Sequence, residues 1–584
     1  MRQNRLSGWI YRKDMNTMLF FAQRLDELLF HHSIDTYRYP VLSLESICEE
    51  YLHVYHDVKN GIINEANLGH IIDELNFLLV GDTVAINILS KEYVDRFKKN
   101  YGSWDIKEQR DNIFYISRKL GNFTYYKGVV DLIKNNVKAN SEKRLVDKYC
   151  SIVVRLLIDY GYDENYIYNT LHKVFFWEEV KSFQSIDDFF DTFNFKPKKF
   201  DVYIGFNQNV SNLLPLFQRM SRNNLDISQI EPDKLPKGIK VKRQKTIIKF
   251  NGVESLDLYS AYVLAQTISD FIVNAYGFYS HMRNGVKTYG QVIDDAGIIT
   301  TIHGSDLLKD RVSASSHEES SKNAGELLNI TFSSLRNLEE ISNLTEIHNS
   351  SIYSDNTSDS LLSLWSILES ETGDDVSRNN IDKVKANVIP FLKSTYVEKL
   401  VSTVASDIKR WDKTFFEHDI LNNEFGSDEV EHTFAFLTFE EFSDTRDDFY
   451  RKTEDFPLLR YRVYYLNAQL KNTKGMKSLI NVHTQRVGWQ LHRIYRVRNY
   501  IIHDGTRDDS MNRELVINLH SYIDTMFLKV FSMMSQSPYR DSMQNIIISH
   551  KLAVSIMDEK LDQQEKISID RNNALKLLYY DFER

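Results

Sequence analysis

The sequence predicts a mainly α-helical protein with one small α+β domain in its middle. Apolar residues recur three and four apart over most of the chain, which is the period of a helix face. Only 8 of the 584 residues are proline, so long helices run without interruption. Strand-like alternation is confined to one stretch, after a change of composition at Lys196-Pro197-Lys198-Lys199.

A chain of this length exceeds one ordinary core. With 42% hydrophobic and 12% aromatic residues it has ample material for several. Three parts are expected: a helical N-terminal region over residues 1–195, the α+β domain over 196–320, and a helical bundle over 321–584. The net charge of −9 excludes a globally basic nucleic-acid coat, so any contact with RNA must be a local patch. Two cysteines, Cys48 and Cys150, are too few for a disulfide scaffold and fit a reducing, cytoplasmic setting. No apolar run is long enough to span a bilayer, so no membrane association is expected. The richest run, Leu75 to Val80, is cut by Gly81-Asp82. The start, Met1 to Arg5, leads into no secretory apolar core.

In the first part, Met18 to Phe21 with Leu25, Leu28 and Leu29, and Ile152-Val153 with Leu156-Leu157, have helical spacing. His53 and His56 lie three apart beside Glu49 and Glu50, but no third ligand follows at metal-site spacing, so surface histidines are the expectation. Asp187, Asp188 and Asp191 read as a solvated helix end. In the middle, Phe200 to Phe206 alternates like a strand, a helix is expected near Val210 to Arg222, Thr246 to Phe250 is a second strand, Ser255 to His281 a long helix, and Ile298 to His303 a third strand. Lys234, Lys237, Lys240, Lys242, Arg243 and Lys245 make the approach to the second strand basic. Such a run can grip a nucleic-acid backbone, but lysines that keep an edge strand from aggregating are the plainer reading.

Ser313 to Ser321 reads as a linker. Helical spacing resumes with Leu328, Phe332, Leu335 and Leu338, and a polar gap from Asn349 to Ser360 precedes a helix containing Trp365. Val397, Leu400, Val401, Val404, Ile408 and Trp411 mark a long amphipathic helix that Pro390 starts or kinks. Asp428 to Asp448 is acidic and broken, and reads as an insertion. Leu458 to Leu470 and Leu479 to His503 supply two more helices, and after Asp504-Gly505, a helix stop, Ser510 caps another to about Met534.

One stretch of this bundle is chemically unusual. Between Val487 and His503, Leu491, Ile494, Tyr495, Ile501 and Ile502 share an apolar face, and Arg498 falls in its middle. His492, Arg496, Asn499 and His503 line a polar face beside it. A guanidinium within an apolar stripe needs either a carboxylate partner or an anion in a cleft.

Arg498-Asn499-x-x-x-His503 resembles the Arg-x(4–6)-His motif of HEPN-domain ribonucleases. The flanking Trp489-Gln490-Leu491, Arg493 to Asn499 and Ile501-Ile502-His503 look like the ApeA-like branch of that superfamily, found in bacterial anti-phage systems. Leu361 to Glu369 is similar to the Leu-Trp-x-x-Leu-Glu helix that opens the ApeA-like domain. The resemblance covers roughly the last two-fifths of the chain. It implies a HEPN helical bundle and a metal-independent endoribonuclease with no cofactor, active in anti-phage defence by abortive infection or as a toxin. It further implies RNA as substrate, with tRNA among the candidates, a phage-derived trigger, and a homodimer that faces two copies of the motif.

The residue types suit that chemistry. Cleavage needs a proton taken from the 2′-hydroxyl, a proton given to the leaving 5′-oxygen, and charge balance on the phosphorane. Histidine moves protons near neutral pH, and the guanidinium fork holds two phosphate oxygens. Arg498, Asn499 and His503 are therefore the expected catalytic set, with Glu369 the expected partner of Arg498. Arg496, Arg493 and His492 are the expected RNA-binding residues. The alternative is an Arg498–carboxylate pair in a catalytically inactive HEPN module that serves binding or dimerisation. No P-loop and no Gly-x-Ser-x-Gly elbow is encoded.

Overall fold

The architecture is taken from a computed structural model. It describes residues 13–29, 42–177, 180, 182–206, 213, 215–217, 226–231, 235–236, 238–239, 246–294, 296–303, 321, 324–325, 327–328, 335–354, 356–370, 380–422, 424–503, 509–536, 542–563 and 567–581, except for 281–287. The fold is mainly helical, with one five-stranded antiparallel sheet. The described residues form two compact units. Residues 13–152 and 321–581 make one, and residues 153–303 make the other. The division thus differs from the three parts expected, because the N-terminal helices and the C-terminal bundle share one body.

In that body α1 (Asn16–Leu29), α2 (Leu44–Lys59), α3 (Ala66–Val80), α4 (Thr83–Leu89), α5 (Lys91–Asn100), α6 (Ile106–Leu120) and α7 (Thr124–Lys138) follow one another, and α8 (Lys143–Asp159) leads into the second unit. The apolar spacing of Met18, Leu19, Phe20, Phe21, Leu25, Leu28 and Leu29 buries all seven. The Gly81-Asp82 break falls where expected. Asp82 caps α4 by accepting from Ala85 N–H at 2.9 Å, and it also accepts from the Tyr125 hydroxyl at 2.5 Å. Asp105 and Glu108 form a capping box that starts α6.

The second unit holds α9 (Glu164–His172), α10 (Gln184–Asp191) and α11 (Leu258–Ser280) with β1 (Lys198–Phe206), β2 (Asp226–Ile230), β3 (Thr246–Ser255), β4 (Thr288–Ile293) and β5 (Ile299–His303). The sheet order is β2-β3-β1-β4-β5, and every pairing is antiparallel. Ala261, Tyr262, Ala265 and Ile272 of α11 pack on Val202, Ile204, Phe250 and Val292. The three strands expected are present, and β2 and β4 are additional. Both were hidden because their sequences, Asp-Ile-Ser-Gln-Ile and Thr-Tyr-Gly-Gln-Val-Ile, are short and largely polar. Gly290 in β4 is there for space, since a Cβ would meet the Tyr262 ring at 1.8 Å. The helix expected near 210–222 is described only at residues 213 and 215–217, and the lysine-rich approach to β3 and the 313–320 linker lie outside the described residues.

The C-terminal part of the first unit contains α12 (Leu335–Ile352), α13 (Thr357–Ser370), α14 (Asn380–Trp411), α15 (Glu429–Thr438), α16 (Ser443–Lys452), α17 (Pro457–Leu470), α18 (Thr473–His503), α19 (Asp509–Gln536), α20 (Met543–Gln563) and α21 (Ala574–Leu578). Leu361, Leu364, Trp365 and Leu368 of α13 are all buried, each a favourable transfer of about 1.5–3 kcal/mol. Three expectations need correction. The polar gap before α13 shrinks to 353–356, because Ser351, Ser358 and Ser360 are buried and the Ser360 hydroxyl donates to the Ser351 carbonyl at 3.0 Å. Helix α14 has Pro390 inside it, so of the two roles expected for that proline, start or kink, the start is excluded. The acidic 428–448 stretch is not an insertion, since Phe434, Ala435, Phe436 and Leu437 of α15 are fully buried and Asp428 caps that helix. No helix among the described residues is long and apolar enough to cross a membrane.

Candidate active site

Helix α18 is the axis of the site. Its 31 residues give it different neighbours on different faces. Ile480, Val487, Leu491 and Ile494 are fully buried. Tyr495 lies against Trp365 of α13, with ring centroids 5.7 Å apart and the ring planes tilted by 39°.

The same side of the bundle receives Arg498. Its Nη2 donates to Glu369 Oε2 at 3.1 Å, and its Nη1 donates to Asn499 Oδ1 at 3.1 Å. The pair is partly open, with the Arg498 side chain 23% and the Glu369 side chain 25% exposed. So the unpaired-looking guanidinium of the sequence has the carboxylate partner expected for it. Two of its N–H donors are engaged, and a guanidinium carries five. Asn499 lies four residues before His503, so the two share a helix face. The bond to Asn499 therefore turns the guanidinium toward the face that carries His503. His503 is the last residue of α18 and is exposed. Among the described residues no hydrogen bond joins His503 to Arg498 or Glu369, and Asp504-Gly505 lies outside them.

The three residues expected to bind RNA are placed otherwise. Arg493 is fully buried. Its Nε and Nη2 donate to the two oxygens of Glu50 in α2 at 2.7 and 2.9 Å, and Nη2 also reaches Glu74 of α3 at 2.6 Å. Arg496, 3% exposed, pairs with Glu50 and donates from Nη1 to His70 Nε2 at 2.8 Å. Burial opposes the charge on Glu50, but Arg493 and Arg496 outweigh it and hold the carboxyl below its ordinary range. Burial, and then Arg496, push the His70 imidazole well below its usual pKa, so the ring is neutral and accepts. His492 stacks on His70 with centroids 4.9 Å apart and accepts from Lys385 Nζ at 3.0 Å. Burial and Lys385 lower it to about 4. Arg493, Arg496 and His492 are therefore corrected from an RNA track to a buried polar seam. The cause is tertiary. Residues seven apart, such as Arg496 and His503, share a face in the sequence pattern, but α2 and α3 cover that face only up to about Tyr500, whose hydroxyl donates to Asp57.

Glu50, Glu74 and His70 were missed in the sequence. A signal was present for Glu74, which sits three residues after Ile71 on the buried stripe of α3. His53 is at the surface as expected, 3.4 Å from Asp57.

A second polar group was also missed. His348 of α12 and His520 and Asp524 of α19 converge, with His348 Nε2 at 2.8 Å and His520 Nδ1 at 3.1 Å from the two Asp524 oxygens. The spacing of His520 and Asp524, four apart on one helix, was its only mark in the sequence. Compared with protein-family models, with curated proteins and with solved structures, the chain matches none.

Proposed function

We propose that the chain is an endoribonuclease of the HEPN type, with Arg498 as phosphate ligand and transition-state clamp, His503 as proton-transfer group and Asn499 as the residue that orients them. The observation that supports this most is the state of Arg498, which is held in place by Glu369 and Asn499 yet partly open, five residues before an exposed histidine on the same helix. In this reading the guanidinium fork donates to two non-bridging phosphate oxygens, and His503 takes the 2′-hydroxyl proton. The 2′-oxygen attacks phosphorus, the 5′-oxygen leaves with a proton, and a 2′,3′-cyclic phosphate remains. None of these steps needs a metal. A single Arg–His set supplies one proton-transfer group where two are needed, so a two-fold dimer that faces two α18 ends across one cleft completes the reading. RNA damage as a defence against phage, with tRNA among the substrates and a phage product as trigger, follows from the resemblance of the motif.

The half-buried Arg498–Glu369 pair also suits a bundle whose motif is structural and whose role is binding or dimerisation. Sequencing of RNA ends after induction separates the two. Wild type is expected to yield new cyclic-phosphate ends that His503→Ala does not. Identical end profiles for the two proteins overturn the ribonuclease reading.

A further inference from the structure

We infer that His348, His520 and Asp524 form a divalent transition-metal site, best suited to Zn²⁺, that clasps α12 to α19. The inference does not depend on the ribonuclease reading. Three donors from two helices meet at one point: one ligand atom from each lies within 4.8 Å of the others. The separations already fit coordination. Bonds of about 2.0–2.2 Å at angles near 90–110° place neighbouring ligand atoms about 3.0–3.4 Å apart, and the two N···O separations here, from His348 to one Asp524 oxygen and from His520 to the other, are 2.8 and 3.1 Å. A cation among the three ligand atoms displaces the shared protons, and because those atoms lie within 4.8 Å of one another, side-chain rotation within the cluster closes them onto it.

The donor set selects the ion. Two imidazoles and one carboxylate are borderline ligands, which suit Zn²⁺ and its neighbours better than Mg²⁺ or Ca²⁺, which prefer all-oxygen shells. Thiolate-loving ions are disfavoured, since Cys48 and Cys150 are both buried elsewhere, in α2 and α8. The burial is graded in the way such a site needs. The His520 side chain is 4% exposed and fixed, while those of His348 and Asp524 are 23% and 35% exposed. Solvent thus reaches the fourth position, giving three protein ligands and a water. Asp524 bridges both imidazoles, so the two rings and the carboxylate already face one another before an ion enters. The ion would join the helix that enters the bundle ahead of α13 to the helix that follows the motif helix α18.

The test uses the full chain, stripped with chelator and then titrated with Zn²⁺ by calorimetry and with Co²⁺ by visible absorption. One equivalent of Zn²⁺ is expected to bind and raise the melting temperature, and Co²⁺ is expected to show the ligand-field bands of a nitrogen–oxygen site. His348→Gln keeps a donor to Asp524 but is a poor metal ligand, so its fold is retained. It should lose affinity at least roughly tenfold and lose the thermal shift. Asp524→Asn should do the same. Absence of a stoichiometric Zn²⁺ isotherm in the wild type, or an unchanged isotherm in both variants, overturns the site.

Discussion

Arg493 grips Glu50 through both carboxylate oxygens, at 2.7 and 2.9 Å, from a position where its own side chain is wholly buried. The two residues lie 443 apart in the chain. They tie α18 to α2, so the helix that carries the motif is anchored by the N-terminal helices rather than by the bundle alone. Arg462 makes a parallel tie, pairing with Glu27 of α1 and with Asp407 of α14. Removing one partner of a buried pair leaves the other charge stranded. Glu50→Ala and Arg493→Ala are each expected to destabilise the protein by about 3–5 kcal/mol. Chemical denaturation of the variants measures this, and losses well under 1 kcal/mol would refute it.

The half-exposed pair should behave differently. Water screens Arg498 and Glu369, so Glu369→Gln is expected to cost at most about 1 kcal/mol of stability. Its effect should appear in cleavage instead, because the guanidinium loses a fixed orientation. A stability loss as large as that of Glu50→Ala would place Glu369 among the structural pairs.

Arg498→Lys separates charge from geometry. Lysine keeps the positive charge but presents no planar fork. Cleavage is expected to fall by roughly 10²-fold or more, with the melting temperature within a few degrees of wild type. His503→Ala should fall by about 10²–10⁴-fold, since it removes a proton-transfer group at an exposed helix end. Rates near wild type in either variant argue against the assignment.

A shared site makes a further prediction about mixtures. Arg498→Ala and His503→Ala proteins, each inactive alone, should regain some cleavage when allowed to exchange subunits, because a mixed dimer keeps one intact Arg498 and one intact His503. Failure to recover activity after exchange has been demonstrated counts against a two-fold cleft.

Acid should unfold the protein early. Burial lowers His483 to about 3, and lowers His492 and His550 to about 4, against the ordinary 6.5. Below the ordinary value the unfolded chain binds protons that the folded chain still refuses, so stability falls as pH drops from 6.5 toward about 4. Each ring has a reason to stay neutral. His483 is stacked 3.8 Å from the Tyr396 ring, His550 is stacked 4.3 Å from Phe391 and bonded to Ser394, and His492 accepts from Lys385. Melting temperatures measured from neutrality to about pH 4.5 are expected to decline throughout that window. A flat profile contradicts the buried, neutral state of these rings.

The sequence by itself determined the elements whose information is local. The period of Leu361, Leu364, Trp365 and Leu368 fixes the buried face of α13, and that of Val397 to Ile408 fixes the face of α14, because a helix repeats every 3.6 residues whatever surrounds it. The lone guanidinium in an apolar stripe was enough to require a partner for Arg498, because an unpaired buried charge is too costly to keep. The tertiary structure decided what local periodicity does not encode, namely which residue pairs come together from distant parts of the chain. Arg496 and His503 occupy the same face of α18, yet α2 and α3 bury the first and leave the second open. The polar strands β2 and β4 are strands only because β1, β3 and β5 complete their hydrogen bonds. His348 meets Asp524 across 176 residues. Burial and electrostatic pairing depend on distance in space, so the roles of Arg493, Arg496 and His492 could be assigned only once the helices that cover them were in place.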